Sequence, residues 1–137
     1  MERISVEAIL NVSREDAWNI YTDPKHIVKW NAASDDWHCP KAENDLRVGG
    51  AFMSRMEAKD GSVGFDFEGT YDEVSPMYRI AYTMGDGRKA AIEFSDFGND
   101  TQVKVSFDAE KVNSVEMQRG GWQAILNNYK EYAESIA

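Results

Sequence analysis

The sequence has one cysteine, Cys39, so no disulfide can form within the chain, which fits a reducing compartment. It has no run of lysine and arginine. Fifteen basic residues stand against twenty-four acidic ones, for a formal net charge of -9. Nucleic acid and anionic membrane surfaces both call for clustered positive charge, so neither is expected as a partner. No stretch approaches 18 apolar residues, so no membrane-inserting helix is expected. Met1 is followed by Glu2-Arg3-Ile4 rather than an apolar run, so no signal peptide is expected and the cytoplasm is the expected location. His26, Asp36, His38 and Cys39 stand at no known metal-ligand spacing, and no metal or other cofactor is expected. Repeats, low-complexity segments and linkers are also lacking. The 137 residues, 42% hydrophobic and 28% charged, therefore read as a single domain, 1–137, large enough to bury a core.

What is present is organised around the end of the chain. Residues 113–137 read as one long helix, about 36 Å at ~1.5 Å per residue. Val115, Trp122, Ile125, Leu126, Tyr129, Tyr132, Ala133 and Ile136 fall on one apolar stripe. Asn113 is placed to cap it, with Glu116 at the capping-box offset. Gly120-Gly121 interrupts the pattern, and each glycine costs roughly 0.5–1 kcal/mol against alanine in a helix interior. The pair reads as a bend, a close backbone approach, or room left for a ligand.

Upstream, residues 3–12 alternate as a strand through Ile4, Val6, Ala8 and Leu10. Ser13 opens a helix with Asp16 at the capping-box offset. Asp23-Pro24 stops it and starts a second short helix through Trp30. Residues 31–44 lack a period and read as a long loop. Alternating segments follow, separated by Asp60-Gly61, Pro76, Gly85-Asp86-Gly87 and Gly98-Asn99-Asp100. These are five or six strands in hairpin series, which implies an antiparallel sheet that twists and curls. The long helix must lay its apolar face on that sheet. Periodicity leaves open whether the space between them is filled or hollow.

Three motifs in order carry a resemblance: residues 23–30 (DPKHIVKW), residues 45–52 (DLRVGGAF), and Gly121-Trp122 opening the last helix. Together they resemble the START-like (Bet v 1-like, SRPBCC) helix-grip superfamily. Within it the chain is similar to the branch homologous to the activator of heat-shock-protein-90 ATPase, in a bacterial, polyketide cyclase-like form. The resemblance runs essentially end to end. It implies an α+β helix-grip fold: a curved antiparallel sheet of about seven strands around the long C-terminal helix, with two short helices after strand 1. It also implies a deep apolar pocket between sheet and helix, used across the superfamily for lipids, polyketides and hormones, and in some members for aromatase or cyclase chemistry. Fold alone does not select among these.

The aromatic residues are the best physical clue to a ligand site. Trp30, Trp37, Phe52, Phe65 and Phe67 either line a pocket or pack a core; so do Tyr82, Phe94, Phe107, Trp122 and Tyr129. Met56 and Ile125 join them as apolar candidates. Gln118 falls on the apolar stripe, where its amide needs a partner in a ligand or in the neighbouring loop. His38 beside Asp36 is an acid–base candidate, a polar ligand contact, or an exposed pair on a loop. Cys39 is a weak nucleophile candidate, with only His38 near to activate it. Asp66 and Glu68 share one strand face, opposite Phe65 and Phe67. Facing inward they would be buried acid–base groups; facing outward, ordinary solvent carboxylates. Arg47 before Gly49-Gly50 reads as half of an ion pair beside a turn.

The favoured reading is a cytoplasmic binding protein for a small hydrophobic molecule: aromatic, lipid-like or polyketide-like. No nucleophile-plus-base pair stands out, so a cyclase, aromatase or hydrolase using the same cavity is the alternative. A protein-interaction role, with a chaperone or as a homodimer, is the third.

Overall fold

The computed structural model describes residues 2–137. Seven strands form one antiparallel sheet in the order β1-β7-β6-β5-β4-β3-β2. They are β1 (Arg3–Leu10), β2 (Trp37–Asn44), β3 (Ala51–Ala58), β4 (Gly64–Ser75), β5 (Arg79–Met84), β6 (Lys89–Phe97) and β7 (Asp100–Asp108). The helices α1 (Arg14–Thr22) and α2 (Pro24–Trp30) follow β1, and α3 (Val115–Ile136) ends the fold. This is the helix-grip arrangement: a curled sheet holding one long helix, with two short helices after the first strand.

Local chemistry sets the helix ends. The Ser13 hydroxyl accepts from the Asp16 amide at 3.1 Å, the first turn of α1. Asp23 ends α1 and caps α2, accepting from the Lys25 amide at 2.9 Å, with Pro24 as the first helical residue. For α3 the cap is Ser114, not Asn113. The Ser114 hydroxyl accepts from the Met117 amide at 3.1 Å, which puts Glu116 one place short of the capping-box position. Asn113 uses its carbonyl instead, accepting from the Gln118 side chain.

The expected loop over residues 31–44 is also corrected. Only 31–36 are irregular; Trp37–Asn44 is the edge strand β2. Its pairing with β3 shifts register between His38 and Lys41, which destroys the two-residue alternation that marks a strand. Pro40 sits in that shift, on an edge where its missing amide is tolerated. Tyr78 falls just outside β5 and is exposed, with the Arg14 guanidinium 4.2 Å above its ring.

The core sits where α1, α2 and the second half of α3 meet β6 and β7. Ile4, Leu10, Phe94, Val103, Phe107 and Tyr129 are wholly buried, each worth roughly 1.5–3 kcal/mol by area. Tyr21 packs within 5.1–5.7 Å of Trp30, Phe94 and Tyr129, ring centre to ring centre. The Tyr129 hydroxyl donates to the Ala17 carbonyl at 2.6 Å, and the Trp30 indole to the Ile20 carbonyl at 3.0 Å. Along its other flank α3 is tied to β1. Lys130 donates to the Ile9 carbonyl at 2.7 Å, Gln123 to the Glu7 carbonyl at 3.2 Å, and Glu134 accepts from the Asn11 amide at 3.0 Å. The helix is thus fastened to one side of the sheet, and the curl of β3–β5 carries the rest of the sheet away from it. No helix among the described residues is long and apolar enough to cross a membrane.

Candidate functional site

The space left between α3 and the curled strands is a cavity of about 390 Å³. One wall is the middle of α3, through Trp122, Ile125 and Leu126. The opposite wall is Phe52, Ser54 and Met56 from β3 with Phe65 and Phe67 from β4. The floor is Ile80, Tyr82, Ile92 and Val105 on the inner face of β5–β7. Strand alternation explains this: Phe52, Ser54 and Met56 share a parity, and the register pairs Ser54 with Phe67 and Met56 with Phe65. Gly69 belongs to the same design. A Cβ there would lie 2.6 Å from the Thr83 carbonyl and 2.8 Å from the Phe52 ring, so only glycine lets Phe52 lie flat across β4. Trp122 is braced from behind by Phe107, stacked at 4.0 Å and 10°, and meets Phe67 edge-on at 6.2 Å.

One region of the cavity is polar. The Asn44 amide donates to the Thr22 carbonyl at 2.7 Å, while its oxygen accepts from the Tyr71 hydroxyl at 2.5 Å. Tyr21, Tyr71 and Tyr82 all line the cavity. Burial pushes the Tyr71 phenol up to about 12, opposed by its bond to Asn44. Burial raises Tyr21 and Tyr82 as well, and each is raised further by the neighbouring phenols. All three are held protonated at neutral pH. Asn31, Arg88, Glu43 and Glu110 also line the cavity, and the last three are engaged. Arg88 bonds Asp86 at 2.7 Å and the Asp108 carbonyl at 3.2 Å. Glu43 faces Lys41 at 3.4 Å, and Glu110 accepts from the Asn113 amide at 2.6 Å.

Of the aromatic and apolar candidates, the structure brings Trp30, Phe52, Met56, Phe65, Phe67, Tyr82, Trp122 and Ile125 to this cavity. Phe65 sits half exposed at its mouth. The others lie elsewhere. Phe94 and Tyr129 are core residues of the α1–α2–α3 cluster, and Phe107 is the brace behind Trp122. Gln118 is buried but turned to its own loop: it accepts from the Glu110 amide at 2.8 Å and donates to the Glu110 and Asn113 carbonyls at 3.2 and 2.8 Å. Every polar atom it has for a ligand is used to close the β7–α3 connection. Trp37 and His38 line a separate, polar hollow of about 190 Å³ beyond Trp30, with Asp35 and Cys39. His38 is half exposed, 3.7 Å from Glu57. The Asp36 carboxylate accepts from the Ser34 hydroxyl at 2.5 Å. Cys39 is buried against the Lys41 carbonyl, and burial pushes its thiol up, away from the reactive thiolate.

Asp66 and Glu68 face solvent, and Asp66 pairs with Arg55 at 3.3 Å. Arg47 bonds Asp45 at 2.9 Å beside the Gly49-Gly50 turn. The glycine pair in α3 does not break the helix: α3 runs unbroken from Val115 to Ile136, and a Cβ on Gly120 or Gly121 would meet nothing within 4 Å. A tight backbone approach is therefore not what these glycines serve. Among the described residues no three His, Cys, Asp or Glu side chains gather as a metal-binding cluster.

Sequence reasoning passes over Tyr21, Tyr71 and Asn44. Tyr71 is the most legible of them, since Phe65, Phe67, Gly69 and Tyr71 share one parity along β4. Asn44 leaves no periodic signal, because it ends an edge strand whose register has already slipped.

No functionally curated protein matches the sequence. Two solved bacterial structures are close in sequence and shape. An AHSA1-like protein from Aeromonas hydrophila is 43% identical with a TM-score of 0.92, over 98% of this chain and 93% of that one. A Cytophaga hutchinsonii protein is 48% identical with a TM-score of 0.85, over 97% and 92%. CalU16 from Micromonospora echinospora shares the fold at 18% identity and a TM-score of 0.71, over 96% of this chain and 75% of that one. The signature of the family described as "Activator of Hsp90 ATPase homolog 1-like protein" matches residues 11–134, and the chain belongs to that family.

Proposed function

We propose that the chain is a binding protein for a small, largely apolar molecule held between the sheet and α3. The observation that carries this reading is the cavity itself: about 390 Å³, walled by Phe52, Phe67, Trp122 and Ile125, beside a core in which Trp18, Phe94 and Tyr129 are buried. The size and the mostly apolar lining with a few polar groups suit a small-molecule site. Burying about 300 Å² of apolar ligand surface is worth about 7–8 kcal/mol before association costs, enough for useful affinity with few polar contacts.

The test is a thermal-shift screen of aromatic, lipid-like and polyketide-like compounds against the wild type and Ile125→Trp, which fills the cavity from the α3 side. A ligand at 100 times its Kd adds about 2.7 kcal/mol to stability. A compound that raises the Tm of the wild type, fails on a folded Ile125→Trp protein and is recovered unchanged supports the reading. Recovery of a chemically altered compound would move the chain to the cyclase or hydrolase alternative. If no compound class shifts the Tm, the cavity reading fails.

A further inference from the structure

The cavity lining carries an asymmetry that apolar burial does not use. The Tyr71 hydroxyl is satisfied by Asn44, and Asn44 is pinned in turn by the Thr22 carbonyl, so that amide cannot rotate to serve a ligand. Tyr21 and Tyr82 differ. No hydrogen bond among the described residues reaches either hydroxyl, although both side chains line the cavity and Tyr82 is only 7% exposed. Each of these hydroxyls is left to bond with what enters the cavity, water or a ligand. Neither oxygen is sealed from the cavity: among the described residues the only sealed side-chain polar atom without a partner is the Arg14 Nε, in α1 and outside the cavity lining.

Both hydroxyls are protonated at neutral pH, so each can offer a proton to an acceptor. Arg88, the one cation among the described lining residues, is already bonded to Asp86 and the Asp108 carbonyl, Glu43 faces Lys41, and Glu110 adds negative charge. A carboxylate would therefore find one acid and a neutralised arginine. Beside the phenols, Phe52 packs 4.7 Å from Tyr82 and 5.3 Å from Tyr71, ring centre to ring centre. Phe67 and Trp122 extend this aromatic surface toward the mouth.

Building on the cavity reading above, we propose that Tyr21 and Tyr82 form a donor pair selecting neutral ligands with an acceptor oxygen, such as a ketone or ester carbonyl, on a planar apolar body. The body lies along Phe52, Phe67 and Trp122, and the oxygen points to the two hydroxyls. This makes the site selective for oxygenated over plain hydrocarbon ligands, and for neutral over anionic ones.

Two probes of nearly equal shape test it: 2-acetylnaphthalene, which has the acceptor, and 2-isopropylnaphthalene, which lacks it. Their affinities are measured by tryptophan fluorescence on the wild type, Tyr21→Phe, Tyr82→Phe and, as a control outside the cavity, Tyr129→Phe. Each probe is compared only with itself across variants, which cancels the hydrocarbon's greater hydrophobicity. One neutral hydrogen bond corresponds to roughly 2–10-fold in affinity. Tyr21→Phe and Tyr82→Phe are each expected to weaken the ketone by that factor, with the hydrocarbon unchanged or tighter and Tyr129→Phe inert. Equal effects on both probes, or none on the ketone, overturn the proposal while leaving the cavity reading standing. Binding of neither probe overturns the donor pair's planar ligand, and the compound screen above then decides the cavity reading. Should a variant not fold, the infrared carbonyl band of the ketone bound to the wild type decides: a shift to lower frequency relative to hydrocarbon solvent is expected, and an unshifted band overturns the donor pair.

Discussion

Replacing both glycines of α3 by alanine should make the protein more stable and leave its cavity intact. Gly120 and Gly121 lie in the first half of a 22-residue helix, well inside its ends. Alanine is favoured over glycine in a helix interior by roughly 0.5–1 kcal/mol per site, chiefly because the unfolded chain has less freedom to lose. That gain survives only if the added methyl groups fit, and here a Cβ on either residue meets no atom within 4 Å. The double variant should therefore gain about 1–2 kcal/mol. With an unfolding entropy of roughly 0.3 kcal/mol per kelvin for a chain of this length, the Tm should rise by about 3–7 °C. Calorimetry of the two singles and the double gives the number, and fluorescence titration with an apolar probe gives the affinity, expected to stay within about twofold. A lower Tm would refute the reasoning, because the methyl groups would then be meeting something. A higher Tm with clearly weaker or slower binding would give the glycines a role in admitting ligand, a trade of stability for function.

Other expectations follow from single contacts. Gln118→Ala removes three hydrogen bonds that close the β7–α3 connection, so urea unfolding should show a loss of about 1–3 kcal/mol with probe affinity unchanged; a selective loss of affinity would return Gln118 to the ligand site. The Glu134 carboxyl is held below its ordinary 4.5, first by the Asn11 amide and then by Lys130. Its contribution is present above about pH 4.5 and lost as pH falls through the depressed folded value. Glu134→Gln should thus lower the Tm at pH 7 and converge on the wild type in acid; a constant gap across the titration would refute the charge argument. Cys39 is buried with a raised thiol, so alkylation at neutral pH should be slow in the folded protein and fast in denaturant; prompt labelling of the native protein would contradict that burial.

The elements are largely legible from local pattern. Ser13 and Asp23-Pro24 mark the short helices because a cap is chemistry between residues two or three apart. The strand parities of β3 to β7 are equally plain, since side chains alternate wherever one sheet face is buried. Where β2 slips register at Pro40 that periodicity vanishes, and the strand reads as a loop. Parity also tells which residues share a face, and so groups Phe52 with Met56 and Phe65 with Phe67 on spacing alone. It does not tell which of those faces meets a helix and which meets a void.

That division is made by the tertiary structure. Gln118, Trp122, Ile125 and Tyr129 share one stripe, yet Gln118 closes a loop, Tyr129 is locked into the core under α1, and only Trp122 and Ile125 reach the cavity. The cause is the anchoring of α3 to β1 at Ile9 and Asn11 and to α1 at Ala17, far away in sequence, while the curl of β3–β5 carries its aromatic face off the helix. The meeting of Tyr21 from α1, Tyr71 from β4 and Tyr82 from β5 around one space has the same origin. The sequence determined the fold, its strand faces and its helix stripe, because those follow from neighbours a few residues apart. The hollow, and the phenols that meet around it, were decided by how the curled sheet stands off the helix, a separation that no local pattern encodes.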